Sequence, residues 1–313
     1  MRPLVLTALT LALALAAPAL AQAPAAGGTG PFPAVMEADP GLKDHTIYRP
    51  ARLDAPTLGK LPIVAWANGA CSDNGASFKP FLQEIASHGY LIVALGNPGK
   101  EPEIQPPPKG PASTLPPPPA PPGPPPPPGP AVDPTQPSQL IDGIDWAVAE
   151  NARPGSPYRG RLDTTKVAVM GQSCGGLQAL TVSGDPRITT TVIWNSGIYI
   201  GAQGRSGVVI AKSKLADLHG PIAYFLGGPT DVAQPNGMDD FARIDRVPAF
   251  VGNLDVGHGG TYRQANGGRF ATVGVAWLDW RLKGDATAAA MFVGPRCGLC
   301  VSPEWTVQKK RID

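Results

Sequence analysis

Lys166-Val167-Ala168-Val169-Met170-Gly171-Gln172-Ser173-Cys174-Gly175-Gly176 is the stretch on which the reading of this chain turns. The uninterrupted apolar run from Val167 to Met170 has the character of a strand covered on both faces. A Gly-x-Ser-x-Gly turn follows, and the sequence from Gly175 to Val182 is compatible with a helix. A strand that runs through this pattern into a helix sets the serine on a sharp, exposed turn. In a chain with 38 glycines the pattern alone carries little weight. Its competitor is a glycine-rich turn in which Ser173 is only a helix N-cap. The flanking strand and helix, together with two later loops, favour a nucleophile.

A serine hydroxyl is a weak nucleophile at neutral pH. It needs an adjacent base, and the base needs an orienting acid. Pro248-Ala249-Phe250-Val251-Gly252-Asn253-Leu254 reads as a late buried strand, and Asp255-Val256-Gly257-His258-Gly259-Gly260 follows it. Of four histidines, His88 sits between a helix end and a strand, His219 precedes Gly220-Pro221, and His45 leads into Thr46-Ile47-Tyr48; these three read as structural. His258, between glycines that leave room for a ligand, is the candidate general base. The preceding strand, Ile222-Ala223-Tyr224-Phe225-Leu226, ends in Gly227-Gly228-Pro229-Thr230-Asp231, which makes Asp231 the candidate acid. Its competitors are Asp239 and Asp240, which look like the start of a short helix, and Asp255, three residues before the base. The order Ser173, Asp231, His258 is that of the nucleophile-elbow hydrolases.

An oxyanion needs two backbone donors. The amide of Cys174 is one candidate. The second belongs to the loop after Leu61-Pro62-Ile63-Val64-Ala65-Trp66, where Ala67-Asn68-Gly69-Ala70-Cys71 offers Ala70, with Cys71 as the alternative. Cys71 and Cys174 are therefore expected to approach and to form a disulfide that fixes the two donor loops, since export permits such bonds. Cys297-Gly298-Leu299-Cys300 reads as a structural clip rather than a redox pair. Cysteines at these spacings do not suggest a zinc site.

On Gly171-Gln172-Ser173-Cys174-Gly175-Gly176, Gly227-Gly228-Pro229-Thr230-Asp231-Val232-Ala233-Gln234-Pro235 and Gly257-His258-Gly259-Gly260, the chain resembles secreted α/β-hydrolases of the dienelactone hydrolase, cutinase and polyester hydrolase type. These pieces span most of the chain beyond its first residues, in the right order. Many such relatives carry His-Gly where this chain has Asn68-Gly69. The resemblance implies an α/β-hydrolase fold and cleavage of small or polymeric esters without cofactor or metal. It also implies that Trp194 matches a tryptophan which contacts the acyl group in polyester hydrolases; the alternative is a core tryptophan. Trp66 is a second candidate substrate contact. The rival functions are an acyltransferase or amidase on the same residues, and a binding protein on an inactive scaffold.

The chain has 313 residues and a net charge of +2, enough for one large α/β domain and too little charge for a nucleic-acid surface. Met1-Arg2-Pro3, the apolar run from Leu4 to Ala17 and Ala19-Leu20-Ala21 read as a signal peptide over residues 1–21, so the protein is expected to be exported, periplasmic or extracellular. No second apolar run suggests a membrane span. Residues 22–40 read as a flexible leader, and 41–313 as a single domain with alternating strands and helices, hence a mostly parallel sheet flanked by helices. Ser77 to His88, Gln139 to Asn151 and a stretch bearing Phe270, Val273, Trp277 and Trp280 have helical spacing. Residues 101–137, which hold about half of the 39 prolines, interrupt the domain. They read as a tolerated excursion of polyproline or disordered character, with a flap or a docking strand for an unknown partner as alternatives. Lys309-Lys310-Arg311 reads as a solvated basic tail.

Overall fold

The computed structural model describes residues 26–107, 135–201 and 208–313. Residues 1–21, expected to be a signal peptide, the first residues of the expected leader and residues 108–134 of the proline-rich insertion lie outside the described residues.

The apolar run that ends at Met170 belongs to β5 (Leu162–Gln172), the middle strand of a nine-stranded sheet. Its neighbours in the sheet are supplied by β1 (Ala34–Asp39), β2 (Leu42–Pro50), β3 (Leu61–Ala67), β4 (Leu91–Leu95), β6 (Ile188–Trp194), β7 (Ile222–Leu226), β8 (Ala249–Leu254) and β9 (Trp305–Lys310), in the order β1-β2-β4-β3-β5-β6-β7-β8-β9. From β4 through β8 every pair is parallel; β1 with β2, β2 with β4 and β8 with β9 are antiparallel. This is an α/β fold with a mostly parallel sheet and α/β-hydrolase-like topology.

Both faces of the sheet are covered, so alternate residues of each strand enter different cores. Val167 and Val169 pack with Leu140 and Ile144 of α2 (Ser138–Ala152), Leu177 and Leu180 of α3 (Cys174–Val182) and Phe241 of α4 (Gln234–Arg243). Ala168 and Met170 pack with Phe81, Leu82 and Ile85 of α1 (Lys79–Ser87) and with Phe270, Trp277 and Leu278 of α5 (Gly268–Lys283). A short α6 (Ala286–Ala289) follows, started by Asp285, whose carboxylate accepts from the amides of Thr287 and Ala288. None of the helices among the described residues is long and apolar enough to cross a membrane.

Two ends of the chain differ from expectation. The part of the leader from Ala34 to Asp39 is an edge strand, and before it the amide and hydroxyl of Thr29 donate to Glu84 at 2.7 and 2.5 Å. The basic tail ends β9, with Lys309 and Lys310 in the strand and Arg311 just after it, and its charges are met by backbone carbonyls. Lys310 Nζ donates to the carbonyls of Phe241, Ala242 and Ile244 at 2.7–2.9 Å, which satisfies the open C-terminal end of α4. Lys309 Nζ donates to Gly294 at 2.6 Å and Arg311 to Asp245 at 2.6 Å.

Parallel register brings the carboxyl ends of the central strands to one edge, where open α/β sheets bind ligands. Gly171 is opposite both Ala67 and Ile193, Trp194 is opposite Phe225, and Leu226 is opposite Asn253. The loops after β3, β5, β6, β7 and β8 therefore emerge side by side. The loop after β6 is anchored by Asp240, a wholly buried carboxylate on α4 that accepts from the Ile198 amide (2.8 Å), Lys212 Nζ (2.6 Å) and the Tyr224 hydroxyl (3.3 Å).

Burial pushes the Asp240 carboxyl up to about 6 against the opposing pull of Lys212. The unfolded chain releases this proton near 3.9. The folded state thus holds it more tightly, and the stability this group contributes is full below about pH 4 and declines as pH rises through about 6. Asp240→Asn is expected to flatten the stability profile between pH 4.5 and 7 in chemical melts; a slope equal to that of the unaltered protein would contradict this assignment.

Candidate active site

Ser173 joins β5 to α3 with φ 54° and ψ −117°, a conformation that costs a non-glycine residue about 1–3 kcal/mol. The flanking glycines allow the turn to be this tight. A Cβ on Gly171 would stand 2.2 Å from the Gly175 carbonyl oxygen, and one on Gly175 would stand 2.1 Å from that of Ala67. The serine backbone is fixed on both sides: its amide donates to Trp194 at 3.0 Å and its carbonyl accepts from the Ser196 hydroxyl at 2.6 Å.

The structure brings Ser173, His258 and Asp231 together. Ser173 Oγ lies 2.9 Å from His258 Nε2, and His258 Nδ1 lies 2.7 Å from Asp231 Oδ1. Asp231 is buried whereas the His258 side chain is 35% exposed, so the imidazole reaches the surface and the carboxylate does not. Asp231 Oδ1 also accepts from the Ala233 amide (3.0 Å), and Oδ2 accepts from the Gly227 amide (2.9 Å) and Asn195 Nδ2 (2.8 Å). Burial alone pushes this carboxyl up, but the hydrogen bonds from His258, Ala233, Gly227 and Asn195 outweigh it and hold it below the usual carboxylate range. With an ionised carboxylate at Nδ1, the imidazole proton is assigned there, which leaves Nε2 free to accept from the serine.

The other candidates for base and acid lie elsewhere. His45 is buried between the carbonyls of Lys43 and Gln139, His88 closes α1 near Glu84, and the ring of His219 faces the Asp217 carbonyl. Asp239 pairs with Arg243 and Lys212, Asp240 serves the anchor described above, and Asp255 is met by the Thr230 hydroxyl at 3.4 Å.

On the far side of the serine, Ala70 (φ 55°) and Cys71 (φ 49°) make a left-handed turn, and a Cys71–Cys174 disulfide with Cα atoms 5.2 Å apart ties it to the start of α3. Asn68, in the loop after β3, is wholly buried. Its Nδ2 donates to the carbonyls of Leu95, Ser72 and Asn74 at 2.7–3.2 Å, and its Oδ1 accepts from Trp66 Nε1 at 2.9 Å. The carbonyl of Cys71 is held by the amide and hydroxyl of Thr135 at 3.0 and 3.1 Å. Thr135 in turn bonds to Gln178 of α3. A second disulfide joins Cys297 and Cys300. Such bonds persist in oxidising compartments.

Trp194 and Trp66 are not substrate contacts in this structure; both have no exposed surface. Strand parity decides this. Ile193 faces α3, so Trp194 faces α1 and α5, where it stacks on Phe225 with centroids 4.7 Å apart and meets Phe81 at 5.1 Å. Trp66 packs against Phe78 and Phe81 at 5.1 and 5.3 Å. The residue of this region that reaches the site is Asn195. Sequence reasoning passed over it because an asparagine after a strand is also an ordinary turn residue. The part played by Asn68, and the involvement of Thr135, show only in contacts between residues distant in sequence.

A cavity of about 80 Å³ adjoins Ser173 and His258, walled by Leu177, Ser196, Tyr199, Val232, Ala233 and Asn236. Two larger cavities, about 300 Å³ beside Lys212 and Arg246 and about 320 Å³ beside Lys79 and Glu101, contain no nucleophile with a base. Among the described residues no group of three or more His, Cys, Asp or Glu side chains is placed to hold a metal ion.

The two disulfides should differ in worth. Cys71–Cys174 closes a separation of 103 residues and Cys297–Cys300 one of 3, for which chain entropy gives roughly 4–5 and 2 kcal/mol. Denaturant melts of Cys71→Ser/Cys174→Ser and Cys297→Ser/Cys300→Ser are expected to rank in that order; equal losses would show that the long bond does not act through the unfolded chain. No protein-family model matches this chain, and no curated protein matches it.

Proposed function

We propose that this protein is an exported serine hydrolase of the α/β-hydrolase type that cleaves carboxylic esters through an acyl-enzyme. The observation that carries the reading is the array of Ser173 Oγ, His258 and buried Asp231, linked at 2.9 and 2.7 Å at the carboxyl edge of the sheet. His258 Nε2 takes the serine proton as Oγ attacks the ester carbonyl. The negative charge that forms on the carbonyl oxygen is met by the amides of Cys174 and Ala70, on the two loops joined by the disulfide. The imidazolium then gives its proton to the departing alcohol, and the acyl group stays on Ser173. Water, deprotonated by His258, attacks the acyl-enzyme; the carboxylic acid leaves and Oγ regains its proton. These steps use only the chain's own residues.

Cysteines paired as disulfides support an oxidising destination and agree with a signal peptide over residues 1–21. The small cavity beside Ser173 supports a short acyl group, of about two to four carbons, with the alcohol portion outside it.

Nitrophenyl acetate, butyrate, decanoate and benzoate test the reading. Turnover is expected to favour the short acyl esters, to vanish in Ser173→Ala, and to fall about 10³–10⁴-fold in kcat in Asp231→Asn, where the imidazole tautomer is lost. A folded protein that turns over none of these esters would overturn the ester assignment. Faster acyl transfer to added alcohols or amines than to water would recast it as a transferase.

A further inference from the structure

Asn195 lies just past the end of β6 with φ 41°, wholly buried, and all of its polar side-chain atoms are engaged. Its Nδ2 donates to Asp231 Oδ2 at 2.8 Å and to the carbonyl of Gly257 at 3.3 Å, and its Oδ1 accepts from the Tyr262 hydroxyl. Gly257 immediately precedes His258. One amide group therefore grips both the acid and the backbone that carries the base.

The amide has only one workable orientation. If oxygen and nitrogen exchanged places, Oδ1 would face a carboxylate and a carbonyl, three acceptors with no proton among them. The Tyr262 hydroxyl enforces the working orientation by donating to Oδ1. Burial, and then the charge of Asp231, raise the Tyr262 hydroxyl well above its ordinary range, so it keeps that proton. The ring of Tyr262 is set by the aromatic core rather than by the site. Its centroid lies 5.1 Å from Phe78, 5.2 Å from Phe81 and 5.2 Å from Phe270, all edge-on.

We propose that Asn195 and Tyr262 are a positioning pair: Tyr262 fixes the Asn195 amide, and that amide holds Asp231 and the His258 loop in the register that proton transfer requires. The inference rests on the hydrolase reading. Asn195 borders the small cavity beside Ser173 but has no exposed surface, its amide is spent on Asp231, Gly257 and Tyr262, and Tyr262 is buried, so their loss should act mainly on kcat and leave KM nearly unchanged. A misplacement of about 1 Å in such an array can cost about a hundredfold.

The test is a double-mutant cycle on a short nitrophenyl ester, with Asn195→Ala, Tyr262→Phe and the double variant. Asn195→Ala is expected to lower kcat about 10- to 100-fold with KM within about twofold. Tyr262→Phe keeps the ring in the aromatic core and is expected to cost about tenfold. The double variant should be no worse than Asn195→Ala, because Tyr262 acts only through that amide. Unchanged kcat in Asn195→Ala, or losses that multiply in the double variant, would overturn the proposal. A second readout is the low-field NMR resonance of the His258 Nδ1 proton, expected sharp in the unaltered protein and broadened by exchange with water in Tyr262→Phe. An unaltered resonance there overturns the pair even if Asn195→Ala fails to fold. Absence of Ser173-dependent turnover in the unaltered protein would sink the hydrolase reading instead, while the resonance still reports on the pair.

Discussion

A buried carboxylate has to be met by donors or give up its charge, and the site is built around that constraint. Asp231 has four donors from three parts of the chain: the imidazole of the loop after β8, the side chain past β6, and the amides of Gly227 and Ala233 on either side of its own turn. None of these is a lysine or an arginine. The charge therefore stays available to the imidazole instead of being consumed by an arginine or lysine. Asp240, on α4, shows the contrast. It has a lysine at 2.6 Å, and it serves to anchor a loop.

The second demand is on the backbone at Ser173 and at Ala70-Cys71, where side-chain-bearing residues take positive φ. Such conformations persist only where their surroundings over-determine them. Here the surroundings are specific. Asn68 collects three carbonyls beneath the Ala70 turn, Ser196 and Trp194 hold the Ser173 backbone, and the disulfide joins the two turns. The tryptophans support this region from inside: Trp66 donates to Asn68, and Trp194 fills the core below the loop that Asn195 begins.

Much of this was legible before the structure, for identifiable reasons. β5 and α3 could be read because a strand covered on both faces leaves an unbroken apolar run, and because Gly171 and Gly175 are demanded by contacts too close for a Cβ. The order of Ser173, Asp231 and His258 followed from where strands end. The approach of Cys71 and Cys174 followed from what two neighbouring loops must do. Edge strands were harder. β1 is short and lies in an Ala- and Pro-rich stretch, and β9 carries the lysines whose targets, the last carbonyls of α4, lie 66 to 69 residues away. The reading of Trp194 failed by one residue of strand parity: a pleat sends Trp194 inward and leaves the next position, Asn195, for the site. Asn195 and Tyr262 are 67 residues apart, and nothing local to either announces the other.

The Cys71–Cys174 bond has a topological consequence. It encloses α1, β4, α2, β5 and the whole proline-rich stretch in a single covalent ring, since all of them lie between residues 71 and 174. Thr135 and Gln105, which bracket the greater part of that stretch, are fastened to Cys71 and to Arg263 respectively. A protease that severed the chain inside the ring would open the ring without releasing a fragment. Ser173 and the Ala70-Cys71 turn would remain parts of one molecule until the sulfur bridge itself was broken.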